Sequence, residues 1–166
     1  MNIRVGLGFD THQLVEGREL WLGGVKIEYE KGALGHSDAD VLIHAICDAL
    51  LGAAALRDIG FHFSNKDERW KNIDSKILLD EVCNMLEREK YVIGNVDATL
   101  VLEAPKINPH VDKMVETLCK VMKIDKGQLS IKATTNETMG YVGRKEGVNA
   151  YVVALIYKTQ STNSKT

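Results

Sequence analysis

The stretch from Gly35 to Leu56 reads GHSDADVLIHAICDALLGAAAL and concentrates both the helical signal and the ionisable chemistry of the chain. A helix is expected to begin here, because the Ser37 hydroxyl can accept free backbone N–H groups and a run of Ala, Leu and Ile follows. Asp40, His44 and Asp48 recur every four residues, so they share one face of that helix. Apolar residues cover most of the other faces of this helix, which predicts that the helix is largely buried.

A buried row of carboxylate, imidazole and carboxylate requires an explanation. Burial of such groups is costly unless each is paired, hydrogen-bonded or bound to a metal. One interpretation is a capping Asp40, a hydrogen-bonded core His44 and an Asp48 paired with an arginine elsewhere. The other is a metal site, and the helix alone leaves both open.

Composition narrows the class of protein. The chain has 166 residues, 45% hydrophobic and 27% charged, which is typical of one soluble globular domain. A net charge of −2 provides no basic field for nucleic acid and no polybasic surface for a membrane, so we predict neither partner. No apolar run is long enough for a membrane span or an export segment, which predicts a cytoplasmic protein. The three cysteines lie in apolar helical stretches without a Cys-x-x-Cys pair, which indicates buried reduced thiols.

The remaining elements follow from local patterns. We predict strands at 3–9, 95–102, 129–135 and 149–158 and a hairpin at 20–27. We also predict further helices at 75–91, which Ser75 can cap, and at 108–122. Strands interspersed with helices in this order predict an α/β sandwich, with a mixed sheet and helices packed on one face. We expect one domain over residues 1–158 and a disordered polar tail over 159–166.

Asp10 and His12 follow the first predicted strand, and polar side chains at a strand end are well placed for a site. With His44 they make a set of two histidines and one carboxylate, which leaves the fourth position of a tetrahedral zinc site open. Asp48, one turn beyond His44, is expected to accept the proton of its second ring nitrogen.

A second group of side chains suits phosphate. His36, Ser37 and the first N–H groups of the helix predict an anion cradle, to which Thr134 and Thr135 add hydroxyl donors. Glu137 offers a hard oxygen ligand that suits Mg²⁺ or Mn²⁺ shared with phosphate oxygens. The combined set predicts two metals and a diphosphate.

These segments also carry a specific resemblance. GFDTH (8–12), GHSDAD (35–40), DALLGAAALRDIG (48–60), APK (104–106), KATTNE (132–137) and GR (143–144) occur in order along the chain. Together they resemble the 2-C-methyl-D-erythritol 2,4-cyclodiphosphate synthase family, up to about Lys158. The resemblance implies a homotrimer with active sites between subunits, and release of CMP from a cytidine diphosphate ester as the product ring closes.

By the same resemblance, Asp10, His12 and His44 hold Zn²⁺, and Glu137 holds Mg²⁺ or Mn²⁺. His36 and Thr135 match positions that stabilise the transition state. Substrate contacts are implied for Ser37, for Asp58, Ile59, Gly60, Phe63, Ser64, Asn65, Lys66 and Asp67 in a lid over the erythritol, for Leu102, Glu103, Ala104, Pro105, Lys106, Ile107 and Asn108 around the cytidine, and for Thr134, Tyr141 and Arg144.

The sequence departs from the family pattern at a few places. The segment 63–67 lacks a proline and a second acid that are common there, Glu103 stands where a neutral residue is usual, and Asn136 replaces a threonine.

Two other functions use the same residues. A zinc phosphodiesterase would activate water and release a linear product, and a zinc-stabilised trimeric binding module would perform no chemistry.

Overall fold

The computed structural model describes residues 2–64 and 67–158 of the chain. Its strands are β1 (Asn2–Glu16), β2 (Leu20–Leu22), β3 (Val25–Ile27), β4 (Lys31–Ala33), β5 (Tyr91–Val101), β6 (Leu129–Thr134) and β7 (Gly147–Lys158). Its α-helices are α1 (Val41–Ala53), α2 (Ile59–His62), α3 (Ser75–Arg88), α4 (Val111–Met122) and α5 (Gly140–Gly143). Single 3₁₀ turns lie at Glu68–Trp70, Asn108–His110 and Lys126–Gln128.

Five of these strands form a mixed sheet in the order β4–β1–β7–β5–β6, and β2 and β3 pair as a separate hairpin. β5 and β6 run parallel, and the other pairs are antiparallel. The predicted fold class, a mixed α/β sheet with helices on one face, is confirmed. The predicted single domain over 1–158 stays a prediction, and the predicted tail lies outside the described residues.

The first strand is much longer than predicted. β1 pairs with β7 without interruption from Asn2 to Gln13 and then with β4 from Leu14 to Glu16. The prediction that Asp10 and His12 follow the strand is therefore wrong, since both lie within it. From Asp10 to Gln13, half-buried polar residues alternate with exposed polar residues. This part of the strand has no apolar residue, so a prediction based on apolar alternation ends the strand too early.

Helix α1 lies directly on β1 because two glycines allow the close approach. A Cβ on Gly6 would lie 2.0 Å from the carbonyl oxygen of Ala49, and one on Gly8 would lie 1.9 Å from that of Ala45. No side chain fits such a gap. The glycines therefore fix the distance between the strand that carries Asp10 and the helix that carries His44.

The other face of the sheet carries exposed apolar side chains in the described part of the chain. Ile3, Val5, Leu7 and Phe9 are 45% to 69% exposed, and Tyr151 and Val153 on β7 are each 45% exposed. Phe9 and Tyr151 contact each other with ring centroids 4.9 Å apart. We call this set of six residues the bare face.

The serines expected at the starts of α1 and α3 do not cap these helices, and at α1 the structure has the capping Asp40 of the first interpretation. Asp40, not Ser37, caps α1, and its carboxylate accepts the backbone N–H of Ile43. Asp74, not Ser75, caps α3 by accepting the N–H of Lys76. In both cases the capping residue directly precedes the helix, and the predicted serine has a different partner.

The described cysteines are all free: Cys47 and Cys119 are buried and Cys83 is half-buried. No helix in the described ranges has the length and hydropathy needed to cross a membrane.

Candidate active site

Three side chains from β1 and α1 converge at one point. Asp10 Oδ2 lies 3.0 Å from His12 Nε2 and 3.0 Å from His44 Nδ1, and the two ring nitrogens are 3.1 Å apart. Within residues 2–64 and 67–158, this is the one group of three His, Cys, Asp or Glu side chains that meets the geometric requirement for a shared metal ion. The structure thus brings together the three residues that the sequence predicted as zinc ligands.

Local structure explains this convergence. Residues two apart on a strand point to the same side of the sheet, so Asp10 and His12 share the side on which Gly6 and Gly8 meet α1. His44 lies on the first turn of α1, directly before Ala45, whose carbonyl contacts Gly8. The close strand–helix packing therefore sets the distance between the ligand atoms.

The convergence also shifts pKa values. Burial would raise the pKa of Asp10, but hydrogen bonds to His12 and His44 and the charges of both rings hold it well below its usual range. Burial would lower the pKa of His12, but the hydrogen bond to Asp10 and its charge outweigh this and raise it. The carboxylate is therefore ionised at neutral pH and available as an anionic ligand.

The donor set fits zinc. A tetrahedral ion with bonds of about 2.0–2.1 Å places its ligand atoms roughly 3.3 Å apart. The observed 3.0–3.1 Å separations require an expansion of only a few tenths of an ångström. Two imidazoles and one carboxylate are also the ligand types of open zinc sites.

Neighbouring acceptors fix the tautomer of each ring. His12 Nδ1 donates to the carbonyl of Leu34 at 2.9 Å, which leaves Nε2 free toward Asp10. His44 Nδ1 also faces Asp10, so the proton of the neutral His44 ring lies on the other nitrogen, Nε2. Nε2 faces the hydroxyls of Ser75 at 3.0 Å and Ser37 at 3.1 Å.

The prediction that Asp48 accepts this proton is wrong. Asp48 Oδ1 instead accepts the backbone N–H of Ile59 at 2.7 Å and so holds the start of α2. Helical periodicity places Asp48 on the correct face, but it does not show that α3 approaches the same ring with Ser75.

The three ligand-type residues lie in a cleft of about 250 Å³. His36, Ser37, Asp48, Ile59, Gly60 and Phe63 also line it, together with Gly35, Trp70 and Leu78. His36 Nε2 is buried, and no residue in the described ranges gives it a hydrogen bond. Because His36 also lines the cleft, this unpartnered ring nitrogen is a candidate contact for a polar ligand.

Trp70 was not predicted as a site residue, but it lines this cleft and packs edge-to-face on Phe63 with ring centroids 5.2 Å apart. Two other residues predicted for the lid have structural partners, and their predicted substrate contacts stay predictions. Asp58 caps α2, while Asp67 pairs with Arg69 at 2.5 Å. Ser64 ends the first described range, and Asn65 and Lys66 lie outside the described residues.

The predicted phosphate cradle at the start of α1 is wrong in one respect. The buried Asp40 carboxylate occupies this helix end, accepting N–H groups from Gly23 at 2.9 Å, Gly24 at 2.7 Å and Ile43 at 3.1 Å. A second anion is not expected to bind beside a carboxylate. His36 and Ser37 remain available because they face the cleft.

A second cleft of about 370 Å³ gathers the predicted cytidine segment. It is lined by Leu102, Glu103, Pro105, Lys106, Ile107 and Asn108, together with Pro109, Ala133, Thr134 and Thr135. Ala104 precedes Pro105 through a cis peptide bond. This cleft shares no lining residue with the first one in the part of the chain that the structure describes.

Glu137 lies beside the second cleft without lining it: its Oε1 accepts a hydrogen bond at 2.9 Å from the hydroxyl of Thr135, which does line it. Glu103 supports the same loop: its Oε2 accepts the backbone N–H groups of Asn136 at 3.3 Å and Thr138 at 3.4 Å. The acid that departs from the family pattern therefore has a structural partner.

Tyr141 and Arg144 lie outside both clefts. The Tyr141 hydroxyl donates to Asn149 Oδ1 at 2.7 Å, and Arg144 pairs with Glu146 at 2.9 Å. Tyr141 and Glu146 line a third depression that also reaches His12.

Comparisons with known proteins agree on one family. The model of the YgbB family matches residues 3–157. The 2-C-methyl-D-erythritol 2,4-cyclodiphosphate synthase of Cytophaga hutchinsonii is 64% identical over 158 residues, covering 95% of this chain and 99% of that protein.

Two solved structures are similar as well. IspF of Plasmodium falciparum, solved as a CDP complex, is 33% identical with a TM-score of 0.85, over 96% of this chain and 98% of that one. The bifunctional IspDF of Campylobacter jejuni is 34% identical with a TM-score of 0.91, over 95% of this chain and 43% of that longer one. The chain therefore belongs to the YgbB family, the family of the 2-C-methyl-D-erythritol 2,4-cyclodiphosphate synthases.

Proposed function

We propose that this chain is a metal-dependent cyclising phosphorus–oxygen lyase. It converts 4-diphosphocytidyl-2-C-methyl-D-erythritol 2-phosphate to 2-C-methyl-D-erythritol 2,4-cyclodiphosphate and releases CMP in the cytoplasm, as a step of the non-mevalonate isoprenoid pathway. The observation that carries the proposal is the convergence of Asp10, His12 and His44 beside His36, in a chain of this family.

The bonds balance without any further reactant. An oxygen of the substrate's 2-phosphate forms a bond to the β-phosphorus, and the bond from that phosphorus to the bridging oxygen of CMP breaks. CMP leaves with the electron pair, and no water is consumed. The protein therefore needs no nucleophile of its own, and its tasks are positioning and charge stabilisation.

Two sets of residues would hold the metal ions. Asp10, His12 and His44 hold Zn²⁺, and Glu137 holds Mg²⁺ or Mn²⁺. When bound, these ions supply Lewis-acid neutralisation of the diphosphate charge. The ionised Asp10 and the tautomers fixed on both histidines support this assignment.

The remaining residues bind and orient the substrate. The unpartnered Nε2 of His36 contacts a phosphate oxygen, and the Thr135 hydroxyl stabilises the transition state from the other cleft. Ser37 contacts the methylerythritol phosphate, and Tyr141 and Arg144 add outer contacts. Of the predicted lid, residues 58–64 and Asp67 close over the erythritol, and the Phe63–Trp70 pair in the cleft serves to exclude water. Segment 102–108 with Thr134 holds the cytidine.

A homotrimer with shared active sites joins the two clefts. Their separate linings support this arrangement, because a compact substrate needs both clefts in one site. The bare face supplies apolar surface of the kind that an oligomer interface buries. That IspF of Plasmodium falciparum was solved with CDP also supports nucleotide binding.

Phosphorus NMR of the purified protein with the diphosphocytidyl substrate, Zn²⁺ and Mg²⁺ tests the proposal. We expect CMP together with a cyclic diphosphate. CMP with a linear product would instead identify a phosphodiesterase, and an unchanged spectrum from the metal-loaded oligomer would identify a binding module. Either of these results would overturn the proposal.

A further inference from the structure

The second ring nitrogen of His44 faces the hydroxyl of Ser75, which is paired with the half-buried carboxylate of Asp38. Ser75 Oγ lies 3.0 Å from His44 Nε2, and Ser75 is completely buried. Asp38 accepts from Ser75 twice, at 2.5 Å from the hydroxyl and at 3.0 Å from the backbone N–H. Neither Ser75 nor Asp38 lines the cleft with the three metal-ligand candidates.

The direction of these hydrogen bonds follows from the Asp38 carboxylate. An ionised carboxylate only accepts, so the single hydroxyl proton of Ser75 points toward Asp38. The Ser75 oxygen then presents lone pairs to His44, and His44 Nε2 must carry a proton to meet them. Nδ1, the nitrogen that faces Asp10 and His12, is left with its lone pair.

Ser37 also faces His44 Nε2, at 3.1 Å, but its position differs from that of Ser75. Ser37 lines the cleft, and its oxygen already accepts the backbone N–H of Ala39 at 3.1 Å. Its hydroxyl proton has no carboxylate partner that fixes its direction. Ser37 therefore serves the cleft, whereas Ser75 holds the ring.

Backbone contacts keep the pair in place. The N–H of Asp38 donates to the carbonyl of Ile73 at 3.1 Å, and that of Asn72 donates to the carbonyl of His36 at 2.8 Å. The loop that carries His36 and Asp38 is thus joined to the segment that precedes α3. This connection places the start of α3 against the first turn of α1.

We propose that Ser75 and Asp38 are positioning residues for the reaction, holding His44 in the tautomer and ring orientation that present Nδ1 to the metal. This inference rests on the proposed zinc site at Asp10, His12 and His44. His12 is oriented in the same way: its Nδ1 donates to the carbonyl oxygen of Leu34, which can only accept a hydrogen bond. Both imidazoles are therefore oriented by groups that leave one tautomer available.

Metal affinity tests the inference independently of turnover. The dissociation constant for Zn²⁺ would be measured by competition with a chromophoric chelator for the wild type, Ser75→Ala and Asp38→Asn. We expect Ser75→Ala to raise it about 10- to 100-fold, the usual effect of removing an outer hydrogen-bond partner. Asp38→Asn is also expected to raise the dissociation constant, because an amide can donate to the Ser75 oxygen and leave the Ser75 hydroxyl proton free to point at His44. The rise should be smaller than in Ser75→Ala, because the Ser75 hydroxyl is still present. Both changes should alter the visible absorption spectrum of the Co²⁺-loaded protein.

Asp74→Ala is the matched control. Asp74 caps the same helix end, but in the described part of the chain its carboxylate pairs with the backbone N–H and the ammonium of Lys76 and not with His44. We expect this variant to melt at a lower temperature while its zinc affinity stays at the wild-type value.

Three results would overturn the inference. Wild-type affinity in both Ser75→Ala and Asp38→Asn would do so, and so would an equal loss of affinity in Asp74→Ala, which would point to general weakening of the helix end. If Ser75→Ala does not fold, Asp38→Asn alone decides. The third result concerns the proposed site itself: zinc binding by Asp10→Ala equal to that of the wild type would remove the metal site and this inference together.

Discussion

The Glu137 carboxylate accepts a hydrogen bond from Thr135 beside the second cleft, apart from the histidine ligands. If it holds the divalent ion shared with the diphosphate, Glu137→Gln removes charge there and leaves the zinc ligands intact. We expect turnover to fall roughly 100-fold, in the range seen when one electrostatic contact to a transition state is removed. Zinc content, measured by mass spectrometry, should remain at the wild-type value.

Glu116→Gln is the control for this change, because Glu116 is an exposed acid on α4 that pairs only with Lys120 among the described ion pairs. It should leave turnover unchanged. Loss of zinc from Glu137→Gln with an intact response to Mg²⁺ would contradict the assignment of metals to ligands.

The Cys83 thiol offers a test that depends on pH. Burial, with a smaller contribution from Asp80, raises its pKa from 9.0 to about 12. Between these values the unfolded chain loses the thiol proton and the folded chain keeps it, so Cys83 lowers the free energy of unfolding as the pH rises above 9. Thiolate is the reactive form, so at pH 9 alkylation of Cys83 should be at least about 100-fold slower in the folded protein.

Peptide mapping after iodoacetamide treatment, with and without urea, measures this difference. Equal rates in the two conditions would mean that folding does not shield the Cys83 thiol, which would contradict its raised pKa.

Single residues were predicted with uneven success. Asp10, His12 and His44 could be identified because their chemistry is visible in the residue types and their spacing. Ser75 and Asp38 could not, because their role depends on a contact between α1 and α3 that no local pattern encodes. Asp48 was assigned to the wrong partner for the same reason.

At the level of elements, the contact between β1 and α1 determines the geometry of the ligands. Gly8→Ala would place a methyl group 1.9 Å from the carbonyl oxygen of Ala45, so strand and helix must separate. We expect a loss of about 1–3 kcal/mol in the free energy of unfolding, as for overpacked cores. Zinc affinity should also fall, because His44 directly precedes Ala45. Urea unfolding and chelator competition measure the two effects.

Gly52→Ala is the matched control on the same helix, where an added Cβ meets nothing within 4 Å. It is expected to stabilise the protein by about 0.5–1 kcal/mol, because alanine favours a helix interior over glycine. A loss of stability in this variant equal to that in Gly8→Ala would show that general helix effects, not the close approach, explain the result.

Element types were predictable from periodicity, and their lengths were less so. The β2–β3 hairpin follows from Gly23 and Gly24, which adopt the positive φ of a tight turn. The extension of β1 to Glu16 depends on pairing with β7 and β4, which are distant in sequence. Pairing between distant strands is a property of the folded sheet, and a short segment of sequence does not encode it.

For the whole molecule, the bare face predicts assembly. Leu7 is 69% exposed at its centre, and Leu7→Glu would place a charge in any interface formed there. We expect this variant to be monomeric by light scattering, to retain zinc, and to lose nearly all synthase activity, because the proposed site is shared between two subunits.

Ile77→Glu is the control, since Ile77 is 55% exposed on α3, away from the sheet. It should remain trimeric and active. A Leu7→Glu monomer with full activity would contradict the shared site, and an intact Leu7→Glu trimer would exclude the bare face as the interface.

In the proposed homotrimer, a ring of three subunits with shared sites, the separate linings of the two clefts have a genetic consequence. One mutant allele can damage the metal-ligand cleft while another damages the cytidine cleft, and each alone yields an inactive ring. When both alleles are expressed in one cell, some trimers contain both kinds of chain. Each such trimer has one active site that combines an intact metal-ligand cleft from one chain with an intact cytidine cleft from the other. Two defective copies of the gene would then complement each other, and the strength of complementation would report how freely the subunits mix during assembly.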